Sequence, residues 1–373
     1  MRTLSLDELR TAYSGRRVLV TGHTGFKGSW LVLWLSELGA HITGYALAPP
    51  TQPALFTEIG IAAHCRHVVG DVRDRDRLAQ IVRDTKPDVV FHLAAQSLVR
   101  LSYEQPLETL EINVMGTANL LDAVRCSQQP CALVVVTSDK CYENREWVYG
   151  YRECDPMGGH DVYSMSKGAT ELLVSSYRRS FFPSDRLSDH GIAVASARAG
   201  NVIGGGDWAT DRLVPDVIRA LTSGTRAAIR NSQAVRPWQH TLEPIAGYLC
   251  LAARLMGAGP VDPAPFCDAW NFGPAVESSR PVADVVTALV EVWGTGGWDD
   301  VQDPTSPHEA GMLRLSIEKA CSELRWAPRW RFRETVERTA AWYRARHDGI
   351  SQSALREFTL GQIRDYAAAQ FAV

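Results

Sequence analysis

Short apolar runs recur along the chain at residues 17–21, 41–46, 66–70, 88–93, 131–137 and 192–197, and each reads as a strand. Between them lie longer stretches whose apolar residues return every three or four positions, the spacing of amphipathic helices. Strand and helix in alternation predict an α/β fold built on a parallel, doubly wound sheet. Punctuation rich in Pro and Gly falls at Ala48–Pro53, Met157–Gly159, Gly204–Gly206 and Gly257–Pro265. After Asn201 the alternation fails, which predicts a second, smaller lobe. A return of the chain to the first domain around Pro237 to Leu255 makes the two units interleave. The expected division is 1–199 with 233–260 for the dinucleotide-binding sheet, and 200–232 with 261–373 for the lobe.

The first strand runs straight into Gly22, Gly25 and Gly28, and an amphipathic helix, Ser29 to Leu38, follows at once. That order suits a dinucleotide pyrophosphate. The first glycine allows a tight turn, the second lets backbone approach phosphate, and the third lets helix pack closely on strand. The helix N-terminus then offers N–H groups and a positive dipole end to the anion. The glycines are spaced three and three, unlike the usual dehydrogenase fingerprint. Alone, the turn with its intervening His23, Thr24, Phe26 and Lys27 says nucleotide and not chemistry.

Chemistry enters with two further segments. Residues 134–136 read as a buried strand that ends in Thr137, Ser138, Asp139 and Lys140, and Tyr163 and Lys167 open a helix some twenty residues on. Tyr and Lys four apart share one helix face. An ammonium there is expected to lower the phenol pKa, so that the tyrosine acts as a base near neutral pH.

With these motifs the chain resembles the extended short-chain dehydrogenase/reductases, and within them the nucleotide-sugar 4,6-dehydratases. The likeness runs from about Arg17 to Trp342. It includes HLAAQ at His92–Gln96, NVMGTAN at Asn113–Asn119, RAGNVIGGGDW at Arg198–Trp208 and RPWQH at Arg236–His240. GHTGFKGSW at Gly22–Trp30 and SDKCYENREW at Ser138–Trp147 resemble the branch that acts on CDP-glucose. The resemblance implies a Rossmann-type sheet with a C-terminal substrate lobe, a bound NAD, and a redox-neutral reaction. In that reaction C4 of the sugar is oxidised, water leaves across C5–C6, and C6 is reduced, giving a 4-keto-6-deoxy sugar nucleotide for surface polysaccharide. A nucleotide-sugar 4-epimerase and a non-catalytic nucleotide sensor are the alternatives; the sensor would have lost the catalytic side chains that are present here.

The resemblance also implies roles. Ser138, Tyr163 and Lys167 are the oxidoreductive set, with Asp139 as the acid for the departing C6 hydroxyl. Lys140 stands where related dTDP-sugar dehydratases carry Glu. It is either the C5 base, which needs a pKa lowered by roughly three units, or a charge that stabilises the enolate. Asp71, Val72, Leu93, Ala94, Ala95, Gln96, Asn113 and Thr137 join the glycine turn, Tyr163 and Lys167 around the cofactor. Asp71 is either an adenine-side contact or an N-cap for the next helix. Asn201 and Arg236 are assigned to the substrate diphosphate, since Arg gives bidentate contacts to phosphate, or else to a loop cap and an internal salt bridge. Asp207, Trp208, Arg212 and His240 complete the substrate set. Trp208, Trp238 and Trp270 stack on base or ribose, or pack the core and the lobe interface.

The second strand bears on cofactor choice. No Asp or Glu lies between Glu37 and Glu58 to bind the adenosine ribose, and no Lys or Arg lies between Lys27 and Arg66 to hold a 2′-phosphate. The missing cation disfavours NADP, and the resemblance tips the choice to NAD. A net charge of -3 gives no case for nucleic acid or a membrane surface. Eight cysteines without C-x-x-C pairs argue against zinc and disulfides, so no metal is expected. Without a signal peptide or a membrane-length apolar run, the cytoplasm is the expected compartment. Helices at Pro106–Arg125 and Asp161–Ser180 carry apolar residues over a wide arc, including Leu110, Val114, Leu120, Leu121, Leu172, Leu173 and Val174. A homodimer, or a dimer of dimers, is expected to bury the surplus.

Overall fold

A computed structural model describes residues 3–301 and 312–371. Seven parallel strands form one sheet: β1 (Arg17–Thr21), β2 (His41–Ala46), β3 (Arg66–Val69), β4 (Val89–His92), β5 (Cys131–Val136), β6 (Ile192–Ala199) and β7 (Ala269–Phe272). Their spatial order is β7-β6-β5-β4-β1-β2-β3. Successive side chains of a strand point to opposite faces, and here both faces are covered. Val18, Val20, Val89, Phe91, Ala132 and Val134 enter one core, while Leu19, Val90, Leu133 and Val135 enter the other. Burial on both sides is why these strands read as continuous apolar runs.

On the first face lie α1 (Phe26–Glu37), α5 (Leu242–Leu255) and the C-terminal α7 (Gln352–Gln370), with α6 (Phe332–His347) joining the same core. Trp30 to Leu35 are all buried, with Trp34 edge-on to Tyr366 of α7. On the second face α2 (Arg75–Thr85), α3 (Gly116–Ser127) and α4 (Val162–Ser180) supply Leu78, Ile81, Leu120, Leu121, Val124 and Val174.

Beyond Asn201 the chain makes three two-stranded pairings: 202–203 with 239–240, 227–229 with 298–300, and 235–237 with 279–281. With helices Leu213–Thr222 and Val282–Trp293 they form a region distinct from the main sheet. The interleaving is finer than the expected division at residue 260. β7 adds a seventh strand to the sheet from within 261–373, and α7 packs back on α1. Part of that expected lobe, 302–311, lies outside the described residues. No helix among the described residues is long and apolar enough to cross a membrane.

Candidate active site

In an open α/β sheet a ligand binds beyond the carboxyl ends of the strands, where the winding reverses. Here that point lies between β1 and β4, and the glycine turn stands on it. Gly22 has φ +75, and an added Cβ would lie 2.6 Å from Ala94 N. At Gly28 it would lie 2.2 Å from Gly22 O, so α1 rests directly on the turn. Gly25, the N-cap of α1, meets only Gly22 O at 3.3 Å and supplies no side-chain cap. The first N–H groups of a helix have no intrahelical partner. Those of Phe26, Lys27 and Gly28 therefore form an anion cradle that fits a pyrophosphate.

The rim of this cradle is built from predicted cofactor residues. Leu93, Ala94, Ala95 and Gln96 follow β4 directly. Gln96 N donates to Asn113 Oδ1 at 2.9 Å, and Asn113 Nδ2 donates to Gln96 O at 3.0 Å and to Ser166 Oγ at 2.8 Å. Asn113 lies on a single π-helical turn, Glu111–Met115, a distortion found often at functional sites. It ties the loop after β4 to the residue preceding Lys167. Asp71 does not cap α2; that cap is Asp74. Asp71 instead accepts from Arg73 N at 2.9 Å and pairs with the Arg73 guanidinium at 2.7 Å, with Val72 buried beside it. Thr24 Oγ1 donates to Leu47 O at 2.9 Å, fixing the end of the second strand where no carboxylate stands. His23 is buried there, its Nε2 2.6 Å from His67 Nδ1.

The strand-terminal segment meets helix α4 as expected. Ser138 caps a short 3₁₀ turn, Asp139–Cys141, and its Oγ donates to Asp139 Oδ1 at 2.9 Å. Asp161 caps α4 and starts the helix just before Tyr163. Lys167 Nζ lies 6.0 Å from the centre of the Tyr163 ring. Burial pushes the Tyr163 phenol up to about 12, against a hydrogen bond with Ser138 that pulls it down. The cation that also lowers it is Arg212 rather than the expected Lys167, and burial outweighs both pulls. Burial holds Lys167 itself down at about 8, while the Glu171 carboxylate one turn on raises it. Asp139 is raised by burial over the opposing pull of Lys140, the Ser138 hydrogen bond, Lys27 and Arg236.

Several predicted substrate residues converge on Asp139. A Cβ on Gly200 would lie 2.9 Å from its Oδ2 and 3.5 Å from Pro237 Cγ, so the segments carrying Asn201 and Arg236 both border it. Arg212 bridges Asp207 Oδ2 at 3.0 Å and Ser97 Oγ at 3.2 Å, joining the second region to the loop after β4. Lys27 feels Arg212, Asp139, Lys167 and Asp207, and burial brings it down to about 8. Five cations (Lys27, Lys140, Lys167, Arg212 and Arg236) against Asp139 and Asp207 give the cleft an excess of positive charge, which suits diphosphates.

Other predicted residues lie elsewhere. Trp208 is buried, donates Nε1 to Glu58 at 2.8 Å and carries Arg346 over its ring. His240 is enclosed between Trp30 and Trp330, with burial holding it near 3. Trp238 donates to Arg280 O, and Trp270 is a core residue. All three tryptophans are packed in this structure. Glu171 and Arg198, not singled out from sequence as site residues, form a buried pair at 2.8 Å, and Glu171 accepts from Thr137, the residue before Ser138. Glu171 alone carried a signal, since it continues the Tyr163, Lys167 spacing by one turn.

The sheet order, the glycine turn at its winding reversal and the Ser–Tyr–Lys arrangement define the extended short-chain dehydrogenase/reductase class of fold. A dTDP-glucose 4,6-dehydratase from Streptomyces venezuelae, solved with NAD and TYD bound, matches with a TM-score of 0.73 at 24% identity, covering 89% of this chain and 98% of that one. An epimerase from Methanothermobacter thermautotrophicus matches at 0.76 and 22%, covering 94% and 97%.

The chain belongs to the GDP-mannose 4,6 dehydratase family, whose model matches residues 19–254. It is 50% identical over 333 residues to a CDP-glucose 4,6-dehydratase of Salmonella typhimurium, covering 89% of this chain and 92% of that relative. It is 30% identical to a dTDP-glucose 4,6-dehydratase of Streptomyces antibioticus, over 88% and 92%.

Proposed function

We propose that this protein is an NAD-dependent enzyme that converts CDP-glucose to CDP-4-keto-6-deoxyglucose and water. The observation that carries the reading is the 50% identity to a CDP-glucose 4,6-dehydratase over most of both chains. The site supports it with Asp139, a buried carboxyl with a raised pKa beside the Ser138–Tyr163 pair. An epimerase, which only removes and returns hydrogen at one carbon, has no need of that acid.

NAD, when bound, would supply the hydride acceptor for C4 and the hydride donor for C6. The amides at 26–28 would hold its pyrophosphate, Asp71 and Val72 would lie on its adenine side, and Lys167 with Tyr163 would hold its nicotinamide ribose. Tyr163 takes the C4 hydroxyl proton, with Ser138 holding that oxygen in place. The ketone at C4 acidifies C5–H. Asp139 protonates the C6 hydroxyl as it leaves. Lys140 takes the C5 proton and returns it to C5 as C6 is reduced, and Asn201, Arg212 and Arg236 hold the substrate diphosphate.

The proposed setting is the cytoplasm, in keeping with eight cysteines that are all free thiols. The proposed assembly is a homodimer through α4 and the helices before α3. Leu120, Leu121 and Val174 are spent on the core, but Leu107, Met115, Met165 and Leu172 remain exposed. Sedimentation at micromolar concentration tests it; a monomer would overturn it. Tyr163→Phe tests the catalytic reading. We expect a loss of 10²–10⁴ in kcat with NAD still bound, and unchanged turnover would refute it.

A further inference from the structure

Glu171 lies one helical turn beyond Lys167 and two beyond Tyr163 on α4. Its carboxylate accepts from Thr137 Oγ1, from Ser196 Oγ at 2.7 Å and from Arg198 Nη2 at 2.8 Å. Arg198, on β6, donates Nη1 to Tyr142 OH at 2.6 Å and to Glu153 O at 3.0 Å, and Tyr142 OH donates on to Asn271 Oδ1 at 2.8 Å. The side chains of the ion pair are only 3% and 5% exposed. A pair this deep is expensive to desolvate and a poor device for stability alone.

Its placement suggests another purpose. Thr137 immediately precedes Ser138, and Tyr142 immediately follows Cys141. The turn carrying Ser138, Asp139 and Lys140 is therefore held at its front by Glu171 and at its back by Arg198. Glu171 is also fixed to the helix that carries Tyr163 and Lys167. One ion pair thus grips both halves of the catalytic set.

We propose that Glu171 and Arg198 are positioning residues that set the register of the Ser138–Lys140 turn against Tyr163 and Lys167. The effect on turnover rests on the dehydratase reading given above, whereas the clamp itself rests on the hydrogen bonds. A misplacement of about 1 Å in a reacting group can cost 10²-fold in rate. Substrate is held by other residues, and with every variant saturated in NAD, which Thr137 was expected to border, the loss belongs in kcat.

Glu171→Gln breaks the clamp but leaves Arg198 buried without its counter-charge, and that variant can fail to fold. Thr137→Val and Ser196→Ala avoid the problem, since each removes one hydroxyl donor to the same carboxylate. Only Thr137 leads into the catalytic turn. Steady-state kinetics with CDP-glucose and amide hydrogen exchange across 137–142 are measured on each full-length variant. Thr137→Val is expected to lose about 10-fold or more in kcat, with KM changed less than about 3-fold and faster exchange at 138–142. Ser196→Ala is expected to stay within about 2-fold of wild type in both readouts. Equal effects of the two substitutions, or a Thr137→Val loss confined to KM, would overturn the proposal. A wild-type protein inert toward CDP-glucose would count against the function instead, and hydrogen exchange would still decide the clamp.

Discussion

Gly28 and Gly25 are expected to fail in different ways when given a methyl group. At Gly28 the new Cβ would stand 2.2 Å from Gly22 O and 2.7 Å from His23 Cα. Real Cβ contacts scarcely fall below 3.0 Å, so helix and turn must separate by about 0.8 Å, and both obstacles are backbone that cannot rotate away. Overpacking of this kind costs about 3 kcal/mol, and the better helix propensity of alanine returns up to about 1 kcal/mol. The net is about 2 kcal/mol. With an unfolding entropy of about 2.1 cal/mol/K per residue, the melting temperature of the cofactor-free protein falls by about 2–3 °C. At Gly25 the Cβ is 3.3 Å from Gly22 O and meets nothing else within 4 Å, in ordinary extended backbone at φ -76. Gly25→Ala is therefore expected to cost less than about 1 kcal/mol in stability. Its methyl sits where backbone must approach the pyrophosphate, and NAD affinity should drop tenfold or more, about 1.4 kcal/mol. Calorimetric titration of NAD into charcoal-stripped protein, beside melting curves without NAD, reads both effects. Gly28→Ala melting with wild type, or Gly25→Ala binding NAD as tightly as wild type, would refute this account of the turn.

Lys140→Ala is expected to keep C4 oxidation in a single turnover while losing elimination; deuterium exchange at C5 persisting at the wild-type rate would remove Lys140 as the base. Stability should fall in mild acid, three buried histidines outweighing Glu243, which burial raises to about 7 and which acts in the opposite sense. Burial, the largest cause in each case, holds His92 and His240 near 3 and His23 near 4, whereas the unfolded chain takes up these protons near 6.5. The folded state binds fewer protons, so this stability is complete above about pH 6.5 and is lost as pH falls toward 3–4. At pH 5 each histidine accounts for about 2 kcal/mol. Melting curves between pH 7 and 4.5 check this, and a His240→Gln variant with the wild-type slope would contradict it.

Much of this architecture was legible because burial on both faces forces apolar runs that periodicity detects. β1 and β2 fall where the pattern put them, β3 and β5 end one residue early, β4 is a residue shorter at each end, and β6 runs two residues further. The seventh strand was not legible: Ala269–Phe272 is short, lies after the regular alternation, and joins the sheet only through β6. In the site, spacing exposed Tyr163 and Lys167 because a helix turns a sequence interval into a shared face. The packing of His240 between Trp30 and Trp330, and of Trp208 against Tyr343 and Arg346, is tertiary and has no signal in motif spacing. The Glu171–Arg198 pair joins positions 27 apart through tertiary contact, and no local pattern announces such a partner.

The most direct test of the central claim uses CDP-glucose deuterated at C4, incubated with the protein and catalytic NAD. The expected product is CDP-4-keto-6-deoxyglucose with deuterium transferred to C6 of the same molecule. Recovery of the C4 epimer with the label still at C4, or of unchanged substrate, would contradict it.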